Sequence, residues 1–188
     1  MKKIALFASG NGTNAENICE FFKDSSLASV SILFSNNKKS LVVSRLKKYG
    51  VQTHVFSKSE LENPGPIKSY LLDLNIDLIV LCGFLLKIPS YIIDLFPNRI
   101  INIHPSLLPK YGGRGMYGDH VHKSVLENKE LFSGITIHFV NERYDKGKII
   151  LQKKVAVSKK ETVESLSKKI HSLEKEFLPK TIKSVLVS

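Results

Sequence analysis

The chain holds 188 residues, 43% of them hydrophobic, which suffices for one well-cored domain and excludes two generous ones. No run approaches the roughly 18 apolar residues of a membrane span, and the only cysteines, Cys19 and Cys82, fall in apolar stretches, as reduced thiols of a cytoplasmic protein do. A formal charge of +11 invites anionic partners, yet the lysines are scattered and arginine is scarce, which describes a solvated surface and not a nucleic-acid stripe.

Met1-Lys2-Lys3 leads directly into a strand-like run at 4–8, without the longer apolar region of a signal peptide. Ser9-Gly10-Asn11-Gly12-Thr13-Asn14 follows and opens a helical pattern over 14–23. Glycines there permit a tight turn and close backbone approach, and the exposed amides of a helix start favour an anion. The loop lacks the third glycine of a dinucleotide fingerprint, and no Gly-Lys-Ser/Thr occurs. The residues themselves leave a phosphate monoester site or a plain strand-to-helix turn.

Strand-like runs at 29–34, 53–56 and 78–82 alternate with helical patterns near 41–49, 67–74 and 89–96. A strand at 100–104 leads into a glycine-rich loop, 106–118, that reads as lying outside the core. A helix at 119–128 and strands at 134–140 and 149–157 come next. The last helix starts at Glu161/Thr162, carries Val163, Leu166, Ile170, Leu173 and Phe177 as an apolar stripe, and should bend or end at Pro179. This order predicts an α/β, Rossmann-like fold: a mostly parallel twisted sheet of about seven strands with helices on both faces. The loop between the last two strands is too short for a helical crossover, so that pair should be antiparallel.

Two polar residues interrupt the strand Ile100-Ile101-Asn102-Ile103-His104. Side chains alternate along a strand, so Asn102 and His104 project together, away from Ile101 and Ile103. Pro105 ends the ladder, which places the pair at a carboxyl strand end, where open α/β sheets build their sites. A donor beside an imidazole suits a reaction that develops charge on oxygen and moves a proton; the plainer reading is a polar pair satisfied by loop backbone. Asp145, in the turn after 134–140, is an ordinary turn residue or a carboxylate that raises the pKa of His104 and orients it. His120 and His122 stand two apart on a helix and do not face each other, and no helical His-x-x-x-His pair exists, which argues against a metal. His171 and Glu174, three apart, share one face of the last helix.

Together these pieces resemble the phosphoribosylglycinamide formyltransferases, the folate-dependent enzymes of purine synthesis. The resemblance runs nearly end to end, from the Ser9–Asn14 loop through Gly83-Phe84, Asn102-Ile103-His104-Pro105-Ser106-Leu107-Leu108-Pro109-Lys110 and Gly134-Ile135-Thr136-Ile137-His138-Phe139-Val140 to the Asp145 turn and the Glu174 helix. The Asn-x-His-Pro-Ser-Leu-Leu-Pro run is shared with methionyl-tRNA formyltransferases and formyltetrahydrofolate deformylases, whereas Gly-Asn-Gly-Thr-Asn points to the ribonucleotide enzyme. The resemblance implies transfer of a formyl group from 10-formyltetrahydrofolate to the amine of glycinamide ribonucleotide. Asn102, His104 and Asp145 are then the catalytic trio, with Asn102 and protonated His104 stabilising the oxyanion and Asp145 assisting proton transfer. Gly12, Thr13 and Asn14 would take the phosphate, with Lys110 and Gly113 nearby and His171 and Glu174 at the ribose and amine end. Folate would lie along Leu85, Leu86 and Ile88, with Val140, Asn141 and Asp145 closing over its pterin. The resemblance implies no metal and only small-molecule partners, with no nucleic acid or membrane. It implies one cytoplasmic domain over 1–188, monomeric or homodimeric, with a ribonucleotide-binding N-terminal half and a folate-binding C-terminal half. Departures are the longer Tyr111–Gly118 loop, Lys175 where a histidine often follows the glutamate, and an early stop after the last helix. The alternatives are a deformylase, with water as nucleophile, and a non-catalytic phosphate- or nucleotide-binding module.

Overall fold

Alternate residues of strand β1 (Lys2–Phe7) enter two separate cores: Ile4 and Leu6 join one, Ala5 and Phe7 the other. A strand buried on both faces belongs inside a parallel sheet, and β1 sits there in the computed structural model, which describes residues 1–188. The sheet has seven strands in the order β3-β2-β1-β4-β5-β6-β7. Strands β2 (Ala28–Ser35), β3 (Gln52–Val55), β4 (Leu78–Leu81) and β5 (Ile100–His104) run parallel to β1. Strand β6 (Phe132–Phe139) is antiparallel to β5, and β7 (Ile149–Ala156) is antiparallel to β6. The antiparallel terminal pair is therefore present. The reversal begins one strand earlier, because helix α6 (Asp119–Glu127), between β5 and β6, does not carry the chain back to a parallel start.

Helices α1 (Thr13–Phe22), α2 (Leu41–Lys47), α6 and α7 (Val163–Val187) cover one face. Helices α3 (Lys58–Glu62), α4 (Pro66–Asp73) and α5 (Ser90–Leu95) cover the other. The five-residue α3 has too few positions to show a period. It is set by a capping box in which Ser57 Oγ accepts from Glu60 N and Glu60 Oε2 accepts from Ser57 N.

Helix α7 does not end at Pro179: it runs through that residue to Val187. A proline has no N–H for the carbonyl four residues back. Here that carbonyl, on Lys175, accepts from Asn17 Nδ2 of α1 at 2.8 Å, so it is not stranded. The stripe that α7 buries is Leu166, Ile170, Glu174, Leu178 and Ile182, at steps of four, with one carboxylate among the apolar residues. Asn17→Ala should lower stability by about 1 kcal/mol, read from urea denaturation; unchanged stability would mean that water replaces the amide without cost.

From β1 the chain steps to β2 on one side, while β4 lies on the other. The carboxyl ends of β1, β4 and β5 therefore open at the point where strand order reverses, the place at which α/β sheets leave a crevice.

Candidate active site

A cleft of about 900 Å³ opens there. Ser9 N donates to Gly83 O at 3.2 Å and Leu85 N donates to Ser9 Oγ at 3.1 Å, joining the loops after β1 and β4 into one wall.

On β5, Ile101 and Ile103 enter the core beneath α1 and α7, so Asn102 and His104 project from the opposite face into the cleft. His104 is 4% exposed. Its Nε2 lies 2.7 Å from the carbonyl oxygen of Tyr111; a carbonyl only accepts, so Nε2 carries the proton. Nδ1 lies 3.6 Å from Asp145 Oδ2. Burial pushes the His104 pKa below its ordinary value, against the upward pull of Asp145 and the Tyr111 carbonyl. The expected influence of Asp145 is thus present but outweighed, and His104 enters the reaction with an available lone pair.

Asp145 is the hub of the cluster. Its Oδ2 accepts from Gly113 N at 2.8 Å, and its Oδ1 lies 3.4 Å from Asn102 Nδ2 and 3.5 Å from His138 Nε2. Burial alone would raise its carboxyl; the neighbouring His138 and His104 and the Gly113 amide bring it below the usual range. Asp145 and Tyr111, which pair with the two ring nitrogens of His104, both have left-handed backbone, at φ 52° and 55°. Aspartate tolerates this region, while a bulky tyrosine holds it only where its surroundings impose it. They do: Ser106 Oγ donates to Lys110 O at 2.7 Å, Thr136 Oγ1 donates to Ser106 O at 2.6 Å, and Leu108 N donates to Thr136 Oγ1 at 3.0 Å. The loop expected to lie outside the core therefore has a buried first part, Ser106 and Leu108 included, because hydroxyls from β6 and the loop satisfy its backbone.

At the β1 side, Gly12 caps α1 with φ 79° and offers no side chain, so the first-turn amides of α1 are not taken by a cap. Asn14 Nδ2 donates to Glu174 Oε2 at 3.0 Å. Glu174 is 7% exposed, and burial raises its pKa against the opposing effects of Asn14 and His171.

Gly12, Thr13, Asn14, Gly113, His171, Glu174, Leu85, Leu86, Ile88, Val140 and Asn141 all line the same cleft as Asn102, His104 and Asp145. Lys110 does not. Its ammonium pairs with Glu130 Oε1 at 2.7 Å beside a separate depression. Gly113 lines the cleft, but its N–H is already given to Asp145.

The sequence model of the formyl transferase family matches residues 2–182. The chain belongs to the formyl transferase family. It is 41% identical over 175 residues to the chloroplastic phosphoribosylglycinamide formyltransferase of Arabidopsis thaliana, a match covering 90% of this chain and 60% of that protein. Phosphoribosylglycinamide formyltransferase of Bacillus subtilis is 32% identical over 191 residues, covering 99% of this chain and 95% of the relative. The crystal structure of phosphoribosylglycinamide formyltransferase from Bacillus halodurans superposes with a TM-score of 0.88 at 31% identity, over 98% of this chain and 95% of that one. The chain spans about 60% of the length of the plant relatives it matches.

In this formyl transferase fold, two buried histidines of the cleft have no role assigned from the sequence. His138 stands opposite Asn102 in the β5–β6 register, where β7 slips by a residue between Ile137 and His138. Its trace in the sequence is the Thr136/His138 alternation, the same kind of sign that revealed Asn102 and His104. His122 is 2% exposed, and burial lowers its pKa below the ordinary value. His120, two residues earlier, is exposed with its ring against Tyr117, as the helical period requires. No group of three or more metal-ligating side chains converges.

Proposed function

We propose that this formyl transferase moves the formyl group of 10-formyltetrahydrofolate onto the amine of glycinamide ribonucleotide. The observation that carries the reading is His104: a buried imidazole with Nε2–H committed to Tyr111 and Nδ1 turned toward Asp145, in one cleft with an uncapped helix start. The phosphate goes to the first-turn amides of α1, which contribute roughly 0.3–2 kcal/mol beyond the direct hydrogen bonds. Glu174, with His171 near it, takes the ribose and amine end, and the pterin lies along Leu85, Leu86 and Ile88 under Val140 and Asn141. No step needs a metal. The two cysteines, buried and unpaired, accord with a reducing compartment such as the cytoplasm.

The neutral amine attacks the formyl carbon, and the carbonyl oxygen becomes an oxyanion. As the new C–N bond forms, His104 Nδ1 accepts a proton from the nitrogen, and the imidazolium is offset by Asp145. It then returns that proton to the departing folate nitrogen. Positioned proton transfer of this kind contributes about 10²–10⁴. Neutral His104 is the working form and its pKa is lowered, so its contribution is complete above that pKa and lost as pH falls through it. The acid limb of kcat/KM should therefore lie below the ordinary histidine value of 6.5; a limb at or above it would contradict this assignment.

Tetrahydrofolate release should require both substrates. Release from 10-formyltetrahydrofolate alone, at the rate seen with the ribonucleotide, would instead identify a deformylase, and no release from folded protein would leave a binding module.

A further inference from the structure

We infer that His138 is a positioning residue that decides which end of the Asn102 amide faces the reacting centre. His138 Nδ1 lies 2.8 Å from the carbonyl oxygen of Phe139, so it carries a proton in either state of the ring. Only Nε2 can change. That atom lies 3.2 Å from Asn102 Nδ2 and 3.5 Å from Asp145 Oδ1.

When the ring is neutral, Nε2 is a lone pair and accepts from Asn102 Nδ2. The second amide hydrogen turns toward Asp145 Oδ1, 3.4 Å away. Both donor positions of Asn102 are then used inside the protein. Its Oδ1 has no protein partner and is not sealed from the cleft, so Asn102 presents an acceptor there. When the ring is charged, Nε2 becomes a donor and cannot face an N–H. The Asn102 amide then turns over: Oδ1 accepts from the imidazolium, whose charge offsets the Asp145 oxygen that Oδ1 now faces, and Nδ2 swings into the cleft as a donor. The two ends of the amide are almost the same size, so the change needs no new space.

The ring itself is held still. A Cβ on Gly147 would collide with the Phe139 carbonyl and meet His138 Nδ1 at 3.5 Å, so the bare glycine lets the Asp145 turn pack against the imidazole. The titratable groups facing His138 are Asp145, from that turn, and His104, from β5; opposite it β7 presents the uncharged Ile149. The proton comes from solvent through the cleft, which His138 lines, in the free protein and in the complex alike, since the proton of the amine passes to His104 and on to the folate nitrogen. The use of the two orientations rests on the formyl-transfer reading: the acceptor end suits the N–H of an arriving amine, and the donor end suits the oxyanion that follows.

The test is an NMR titration of the 15N-labelled free protein. The Asn102 side-chain amide is identified by its absence in Asn102→Ala, and the His138 ring nitrogens are followed in parallel. The amide resonance should shift with the same midpoint as His138 Nε2, and this shift should vanish in His138→Gln. The variant should also lose one ionisation from its kcat–pH profile, with kcat falling toward the roughly 10²–10³ lost with an oxyanion donor and KM nearly unchanged. An amide that stays fixed while His138 titrates, or follows His104 instead, overturns the inference. So does a ring that remains neutral down to the lowest pH at which the protein is folded. The wild-type titration stands even if His138→Gln does not fold. Because it uses no substrate, an intact titration without formyl transfer would defeat the functional reading and leave the positioning role in place.

Discussion

Replacing His104 with alanine should lower kcat about 10²–10⁴-fold while KM for both substrates changes little. The ring is buried, its Nε2–H is committed to Tyr111, and Nδ1 is the nitrogen left to exchange protons with the reacting nitrogens. Alanine leaves the Tyr111 carbonyl with only the long contact from Ser106 Oγ at 3.5 Å, a loss worth about 1–3 kcal/mol of stability. Melting temperature must therefore be measured beside the kinetics, so that unfolding is not mistaken for lost chemistry. Asp145→Asn gives the companion result. An asparagine can still accept from Gly113 N with its carbonyl oxygen, but it offers no charge to an imidazolium, so kcat falls while the loop remains in place. Because the two residues act as a unit, the double variant should be little worse than His104→Ala alone. Multiplying losses, or a folded His104→Ala enzyme with near-normal kcat, would remove His104 from the mechanism.

Gly12→Ala should cost both stability and ribonucleotide binding at the cleft. The residue has φ +79°, and an added Cβ would lie inside contact distance of Val42, a fully buried core residue of α2. Left-handed backbone costs about 1–2 kcal/mol in a residue with a Cβ, and overpacking a tight site typically costs about 1–3 kcal/mol. Relief requires the Gly10–Asn14 loop to retreat from α2, which carries the first-turn amides of α1 with it. KM for the ribonucleotide should rise more than kcat falls, alongside a lower melting temperature. Gly10→Ala is the control, since a Cβ there meets nothing within 4 Å and its backbone is not left-handed. Equal damage from the two substitutions would show that the effect is not the contact with Val42.

The parts of this molecule that could be read in its sequence are those with a local physical cause. A strand buried on both faces appears as an uninterrupted apolar run, and that made β1 and β4 visible. Polar residues at alternate positions of such a run cannot be core, which brought out Asn102 and His104. What escaped depends on groups far apart in the chain. Pro179 reads as a bend or an end of the helix, and the helix continues because Asn17, 158 positions before Lys175, provides the donor for the Lys175 carbonyl. The pairing of the Lys110 ammonium with Glu130, twenty positions on, has no local sign in the sequence either. The proton acceptor that fixes the His104 tautomer is a backbone carbonyl, on Tyr111, and a backbone group has no letter in the sequence. Glu174 was legible by resemblance, yet its place in the i, i+4 series Leu166-Ile170-Glu174-Leu178-Ile182 is an independent mark: a carboxylate in a buried stripe needs a partner, and Asn14 is there. His138 carried the same mark as His104 and was passed over because β6, unlike β5, does not end on it in a proline.

The most direct test of formyl transfer is to follow the carbon itself. Enzyme, glycinamide ribonucleotide and 10-formyltetrahydrofolate labelled with 13C in the formyl group are mixed, and the label is traced by NMR. It should appear as an amide formyl carbon on the ribonucleotide, with tetrahydrofolate formed in equal amount, and this product should all but vanish with His104→Ala. Label recovered as free formate, with the ribonucleotide unchanged, would contradict the account.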